Sequence, residues 1–331
     1  MSLESPKVDI LLATYNGEKY IHEQIASLQC QTYTNWNLLV SDDGSTDGTL
    51  SIVEEIQKID DRVKIVATEA GFHSSSGNFL SLLKQSNAPY AMFCDQDDVW
   101  LEDKVEKSLN VMLEVEKNHA GAEVPSLVFT DSVVVDSFLE CLRPSFVAPM
   151  CYDPKTVSFS QSIFRNVTQG ATTLINRPLI EIANSIEMPE VFENHDYWIA
   201  MIARAIGVVS YIDSPTLLYR QHEENAVGAT KSARSVAERL ASIKKTLGSM
   251  GWKDAIDKIA LDGVKLPIAR AQYLSASKLF KTEEQKNQLE AISAMANKNA
   301  FSKLVTMKKL RILDGWTLYE KANEVLGVLR S

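Results

Sequence analysis

Four times within the first 117 residues a short apolar run gives way to an amphipathic one, and this alternation limits the chain to few folds. Residues 8–14 read as a buried strand, followed by Ile21, Ile25 and Leu28 at i, i+4, i+7 spacing. Residues 36–41 form the next apolar run, followed by Leu50, Val53 and Ile56 on one helical face. A strand over 63–67 precedes a helix starting over 78–83, and a strand from Tyr90 precedes a helix from about 102 to 117. Strands and helices in this order predict right-handed βαβ units. The expected fold class is therefore α/β, with a mainly parallel, Rossmann-like sheet flanked by helices.

In such a sheet the C-terminal strand ends share one edge, where ligands bind. Here those ends are small or acidic: Thr14-Tyr15-Asn16-Gly17, Asp42-Asp43-Gly44-Ser45-Thr46-Asp47, and Asp95-Gln96-Asp97-Asp98. Asp47 or Thr46 can cap the helix that follows the second of them. Three carboxylates within four residues at the end of a buried strand repel one another and lose hydration. A divalent cation relieves both costs, and hard oxygen ligands suit Mg²⁺ or Mn²⁺. Read blandly, the same segment is an Asp-rich surface turn. No G-x-G-x-x-G follows the first strand and no G-x-x-x-x-G-K-[ST] occurs, which disfavours a dinucleotide-dependent dehydrogenase and a P-loop NTPase. Two acidic turns suit another ligand. Asp42 or Asp43 can accept the imide N–H of uracil or thymine, while a metal at residues 95–98 neutralises a diphosphate.

Further strands are expected over 127–130 and 133–136, over 169–175 after the Gln169-Gly170 break, and over 208–212, with 216–222 following. Asp196 opens a helix running to about Ala205; it is either a helix-terminal charge or a positioned general base. His222 is either a metal ligand or an ordinary polar residue. Beyond Gly228 the character changes to amphipathic helices, over 232–247, 267–280, 283–296 and 316–329, with turns at 248–251 and Gly263. The expected division is 1–228 and a helical region, 229–331, with the former split into halves 1–100 and 101–228.

Charge follows that division. Residues 231–331 carry 19 Lys and Arg against 10 Asp and Glu, whereas residues 1–230 carry 15 against 33, within a net charge of −9. The acidic part disfavours nucleic-acid binding. The basic tail suits an anionic membrane surface, an acidic partner or simple solvation. Four scattered cysteines, no secretory pattern at the N-terminus and no apolar run near ~18 residues predict a cytoplasmic chain with reduced thiols.

Together these stretches resemble the family 2 glycosyltransferases, and within them bacterial rhamnosyltransferases that build surface polysaccharides. The matching segments are Thr14 to Gly17, Ser41 to Asp47, Gly77-Asn78-Phe79, Asp95 to Trp100, His195-Asp196-Tyr197-Trp198 and Tyr219-Arg220-Gln221-His222, spread over about residues 8–228. The resemblance implies a GT-A fold, a nucleotide-diphosphate-sugar donor and an inverting transfer. It implies that Thr14 and Tyr15 line the nucleotide pocket, that Asp42 or Asp43 reads the base, and that Asp95 and Asp97 hold metal and diphosphate with Asp98 beside them. Asn16, Asn78, Gln96, Trp100 and Arg220, with Gln169 and Gly170 at the Gly break, complete the expected donor-binding set. Asp196 corresponds to the catalytic base, with Glu193 a rival, and His222 to a further metal or diphosphate contact.

The implied donor is dTDP-L-rhamnose, with a UDP-linked hexose or N-acetylhexosamine as the alternative. A non-catalytic binding subunit of a glycan-assembly complex is the reading from another class. The implied acceptor is a lipid-linked or free oligosaccharide. The basic helical region would then touch the inner face of the plasma membrane or form a homodimer.

Overall fold

The first apolar run forms β1 (Val8–Thr14), buried at every residue but Ala13. In this computed structural model, which describes residues 5–67, 74–119, 123–150, 153–222 and 264–312, β1 lies between two parallel neighbours, β2 (Trp36–Asp42) and β4 (Tyr90–Cys94). A third parallel pairing joins β3 (Val63–Ile65) to β2. Strands covered on both faces are apolar along their length, which is why these segments lack alternation. The connections are α1 (Ile21–Gln29), α2 (Thr49–Gln57) and α3 (Ser75–Gln85). Ile21, Ile25, Leu28, Val53 and Ile56 share one core with Ile10, Leu12, Leu38 and Val40. Asp9, buried within β1, accepts from Asn37 Nδ2, from Ser86 Oγ and from the N–H groups of Asn87 and Ala88, all at 2.9–3.0 Å. It thereby fastens the loop that precedes β4.

The other half of the sheet changes direction. Next to β4 runs β8 (Thr173–Asn176), antiparallel, then β6 (Ser126–Val135), antiparallel to β8. The long β9 (Val208–Arg220) is parallel to β6, and β5 (Val99–Trp100) pairs antiparallel with β9. With β7 (Cys141–Arg143) attached to β6, the order is β3-β2-β1-β4-β8-β6-β9-β5. The two short strands expected over 127–136 are one strand, and the segments over 208–222 likewise join into β9. Register shifts between Thr130 and Val133 let both strands bend without ending. At the break before β8, residues Gly170–Thr172 make one turn of 3₁₀ helix.

Helices α4 (Lys104–Asn118), α6 (Arg177–Ser185) and α7 (His195–Ile206) complete this part. The sequence reading did not anticipate α6, although Asn176 caps it by accepting from the Leu179 N–H and a proline sits in its first turn. Helix α2 is capped by Gly48; Asp47 Oδ1 accepts from the Thr49 N–H at 3.1 Å, while the Thr46 N–H goes to Asn16 Oδ1.

The chain divides into two compact units, residues 1–147 with 168–220, and residues 148–167 with 221–331. The first unit thus ends at Arg220, ahead of the expected boundary, and segment 148–167 goes with the second. That segment carries α5 (Phe159–Phe164), begun by a Ser158/Gln161 capping box. It is bound to the C-terminal helices by Arg270 Nη1 donating to Ile163 O at 3.2 Å and Ser160 Oγ donating to Leu310 O at 3.0 Å. The second unit also contains α8 (Lys265–Ala276), α9 (Glu283–Ser293), a 3₁₀ turn at Ala294–Asn297 and α10 (Ala300–Lys309). α8 and α9 answer to the helices expected over 267–280 and 283–296. The helices expected over 232–247 and 316–329, and the turns at 248–251 and Gly263, lie outside the described residues. Among the described residues no helix is long and apolar enough to cross a membrane, and Cys30, Cys94 and Cys141 are unpaired thiols.

Candidate active site

The ends of β1, β2 and β4 lie side by side, with Thr14 opposite Asp42 and Leu12 opposite Cys94, so the three breaks meet at one edge. Thr14 Oγ1 donates to Asp42 Oδ2 at 2.8 Å. Asp42 also accepts from the N–H of Gly44 at 3.1 Å, the N–H of Ser45 at 2.7 Å and Ser45 Oγ at 2.5 Å. Both of its oxygens are therefore spent on closing a turn that needs Gly44 at φ +87°. Asp43 differs. Its N–H donates to Thr14 O at 2.9 Å, but its Oδ1 is buried without a partner.

The first loop is fastened to the second. Asn16 N–H donates to Ser45 Oγ and Gly17 N–H to Thr49 Oγ1, at 2.8 and 2.7 Å. Asn16 adopts φ 47°, which Asn tolerates better than most side chains. Gln96, from the third break, clamps Tyr15: Tyr15 N–H donates to Gln96 Oε1 and Gln96 Nε2 donates to Tyr15 O, both at 2.9 Å. A Cβ at Gly17 would lie 2.3 Å from Gln96 Oε1, so the clamp requires glycine there. The Tyr15 ring is left 57% exposed.

In the acidic turn Asp95 and Asp97 are half-buried and Asp98 is buried. Asp98 Oδ1 accepts the Arg220 N–H at 3.0 Å; its Oδ2 has no partner. The Arg220 side chain, 2% exposed, donates from Nε to Asp97 O at 2.7 Å and from Nη1 to Ser137 O at 2.9 Å, pairs with Glu23, and lies 4.5 Å over the Tyr20 ring. It therefore braces the turn from beneath. Burial, and after it the charges of Asp97 and Asp196, push the Asp95 carboxyl up to about 7. Burial with Asp97 and Asp95 raises Asp98 well above the usual carboxylate range. Beneath lies Trp100, buried, with the Lys104 ammonium 4.6 Å from its ring centroid. Burial lowers Lys104 to about 7.

Asp196 stands in the first turn of α7, after the Asn194 cap. Its Oδ1 accepts from the Tyr197 N–H at 2.6 Å and its Oδ2 from the Gly170 N–H at 3.1 Å. Because β8 lies beside β4, this 3₁₀ turn places Asp196 where its charge acts on Asp95. The rival Glu193 is exposed and lies ahead of the helix. Gln169 Oε1 accepts from Ser132 Oγ at 2.8 Å and its Nε2 is buried without a partner. Asn78 Nδ2 donates to Ser41 O at 3.0 Å, with its Oδ1 likewise unpartnered.

Every predicted site residue but one thus belongs to the first unit; His222, half-buried, belongs to the second. Among the described residues no group of three His, Cys, Asp or Glu side chains is arranged to hold a metal ion. A divalent cation on this edge would rest on a carboxylate pair and on oxygens of its ligand, as Mg²⁺ commonly does. Sequence reasoning placed His195 in the matched 195–198 segment but gave it no role; it is buried at the head of α7 with both ring nitrogens unpartnered. Sequence reasoning also passed over Ser132, which orients Gln169 across 37 residues of sequence.

A family model described as Glycosyl transferase family 2 matches residues 9–131. The chain is 31% identical over 259 residues to dTDP-rhamnosyl transferase RfbG of Shigella flexneri, covering 75% of this chain and 83% of that protein. It is 36% identical over 197 residues to UDP-Glc:alpha-D-GlcNAc-diphosphoundecaprenol beta-1,3-glucosyltransferase WfgD of Escherichia coli, covering 59% and 69%. Among solved structures, S. aureus TarS 1-349 in complex with UDP-GlcNAc matches with a TM-score of 0.56 at 18% identity, over 97% of this chain and 79% of that one. The mannosyltransferase PcManGT from Pyrobaculum calidifontis in complex with GDP-Man and Mn²⁺ matches with a TM-score of 0.52 at 15% identity, over 98% and 80%. These structural likenesses establish a shared fold: the GT-A type α/β architecture with C-terminal helices.

Proposed function

The chain belongs to glycosyltransferase family 2 and acts on a nucleotide-sugar donor, and we propose that it transfers L-rhamnose from dTDP-L-rhamnose to a growing surface polysaccharide with inversion. The observation that carries the chemical part is the placement of Asp196, fixed by two backbone N–H groups and electrostatically coupled to the acidic turn. An inverting transfer needs a base on the acceptor side of the sugar, away from the leaving diphosphate. One carboxylate cannot serve both places. Asp196 takes the acceptor proton, and the 95–98 turn faces the diphosphate.

Asp42 is consumed by its own turn, so Asp43 reads the imide N–H of the base. Tyr15 and Asn78 flank the nucleotide, and Gln169 reaches the donor through its unpartnered Nε2. Asn16, Gln96, Trp100, Gly170 and Arg220 act by placing these groups. Asp95 and Asp97 would hold Mg²⁺ or Mn²⁺. The raised carboxyls of Asp95 and Asp98 fit a divalent cation, because packed negative charge is what such an ion relieves. When bound, it neutralises the charge developing on the leaving diphosphate.

The likeness to RfbG supports rhamnose; the likeness to WfgD supports a UDP-linked hexose instead. Thymine and uracil present the same imide edge, so Asp43 serves either. The acceptor is a lipid-linked oligosaccharide, and the basic 229–331 region carries the chain to the inner face of the membrane or pairs two copies. Calorimetry with dTDP and UDP, each with and without Mn²⁺ or Mg²⁺, tests the reading. Metal-dependent binding of dTDP over UDP is expected. Preference for UDP replaces the sugar but keeps the mechanism, and binding of neither with either metal favours a non-catalytic subunit.

A further inference from the structure

We propose that His195 contacts substrate: its imidazole hydrogen-bonds a sugar hydroxyl held against Asp196, on the donor or on the acceptor. The inference deepens the assignment of Asp196 as base and rests on it.

His195 is 7% exposed and neither ring nitrogen has a hydrogen-bond partner. Its ring is stacked on Phe79 at 4.3 Å between centroids and meets Phe93 edge-on at 4.9 Å. A phenylalanine would make both ring contacts without stranding two polar atoms, and burying an unpaired polar group is costly. Packing alone therefore leaves the nitrogens unexplained.

Their position accounts for them. Phe93 lies two residues before Asp95, and Phe79 follows Asn78. A Cβ built on Gly170 would lie 3.3 Å from His195 Nε2 and 3.7 Å from Asp196 Oδ2, so the imidazole edge and the carboxylate border one backbone position. The His195 N–H donates to Ser76 Oγ at 3.1 Å, which anchors the head of α7 to the first turn of α3.

The chemistry of the ring selects the ligand. Burial holds the imidazole down to about 3, so it is neutral at working pH, with one donor and one acceptor nitrogen. A neutral ring suits a hydroxyl, which also donates and accepts. A phosphate would call for a cation, and proton removal already belongs to Asp196.

The test uses the full chain and two variants. His195→Phe keeps the ring contacts and removes the nitrogens; His195→Gln restores a hydrogen-bonding group. Calorimetry compares dTDP with dTDP-L-rhamnose, and UDP with UDP-glucose. Kinetics give the acceptor KM and kcat, and thermal unfolding gives Tm. The phenylalanine variant is expected to keep a Tm at or above wild type and the wild-type nucleotide affinity while losing ~5–30-fold in nucleotide-sugar affinity or in acceptor KM, the scale of one hydrogen bond. The glutamine variant is expected to recover part of that loss. A loss in the donor constant places the hydroxyl on the donor; a loss confined to KM places it on the acceptor. A folded phenylalanine variant with both constants unchanged overturns the proposal, and His195→Leu carries the same comparison should phenylalanine not fold. Asp196→Asn is measured alongside. If it keeps full turnover the base assignment fails, whereas the calorimetric donor constants of the His195 variants are read independently of turnover.

Discussion

The Gly170 N–H donates to Asp196 Oδ2 at 3.1 Å, and a Cβ at Gly170 would lie 3.2 Å from the Asp196 Cβ. The carboxylate is thus positioned by a stretch of backbone against which an added methyl group would be tight, so Asp196 and His195 would have to give by a few tenths of an ångström. Gly170→Ala is expected to displace Asp196 and His195 together and to lower kcat by ~10-fold or more, since small misplacements of a base are costly. Tm should change little. Gly207→Ala is the contrast: its Cβ would lie 1.9 Å from Pro125 O, away from the acids, so it should lower Tm. Paired initial rates and melting curves check both.

Asp42 and Asp43 are adjacent but unequal. Asp42→Ala removes a carboxylate that accepts from Thr14, Gly44 and Ser45, and should cost ~1–3 kcal/mol of stability as well as nucleotide binding. Asp43→Ala removes a group whose Oδ1 has no protein partner, and should weaken dTDP or UDP binding with Tm unchanged. Urea titration and calorimetry on both variants separate the two roles.

Arg220 braces the acidic turn through the Asp97 carbonyl and supports Asp98 with its N–H. Arg220→Met strands the Asp97 and Ser137 carbonyls and leaves Glu23 without this partner. It should destabilise the fold by ~2–4 kcal/mol and lower metal-dependent nucleotide affinity with it. Arg220→Lys should recover little, because one ammonium cannot reproduce the fork.

These placements mark where sequence reading stops. The first four strands, their helices and the three acidic or small-residue breaks were legible because apolar periodicity and turn chemistry are local. That the breaks share an edge followed from parallel pairing. The partners of those residues were not legible. Gly170 and Asp196 are 26 positions apart, and Asp98 and Arg220 are 122, joined only once β8 and β9 enter the sheet. Whether Asp42 or Asp43 is the one left with a buried oxygen depends on which carboxylate the turn consumes. The allotment of 148–167 to the second unit depends on contacts with helices more than 100 residues away.

Protonation adds a prediction with a definite sign. The His195 imidazole stays near 3 when folded, against ~6.5 in an unfolded chain. Between these values the unfolded chain binds a proton that the folded one refuses. Stability contributed by the neutral ring is full above ~6.5 and is lost as pH falls, by up to ~1.4 kcal/mol per pH unit. Asp95 acts in the opposite sense: its raised carboxyl lowers stability as pH climbs from ~4 toward 7. The difference between wild type and His195→Phe isolates the histidine. Urea unfolding at pH 5 and pH 7 should show the variant gaining on the wild type at the lower pH.

The central claim is that Asp196 is the base and that the donor binds independently of it. The most direct measurement is the initial rate of sugar transfer, with nucleotide-sugar affinity taken in parallel, for Asp196→Asn and Glu193→Gln. The account predicts that Asp196→Asn loses ~10²–10⁴ in rate with donor affinity near wild type, while Glu193→Gln stays active. Full activity in Asp196→Asn, or loss of transfer in Glu193→Gln alone, would contradict it.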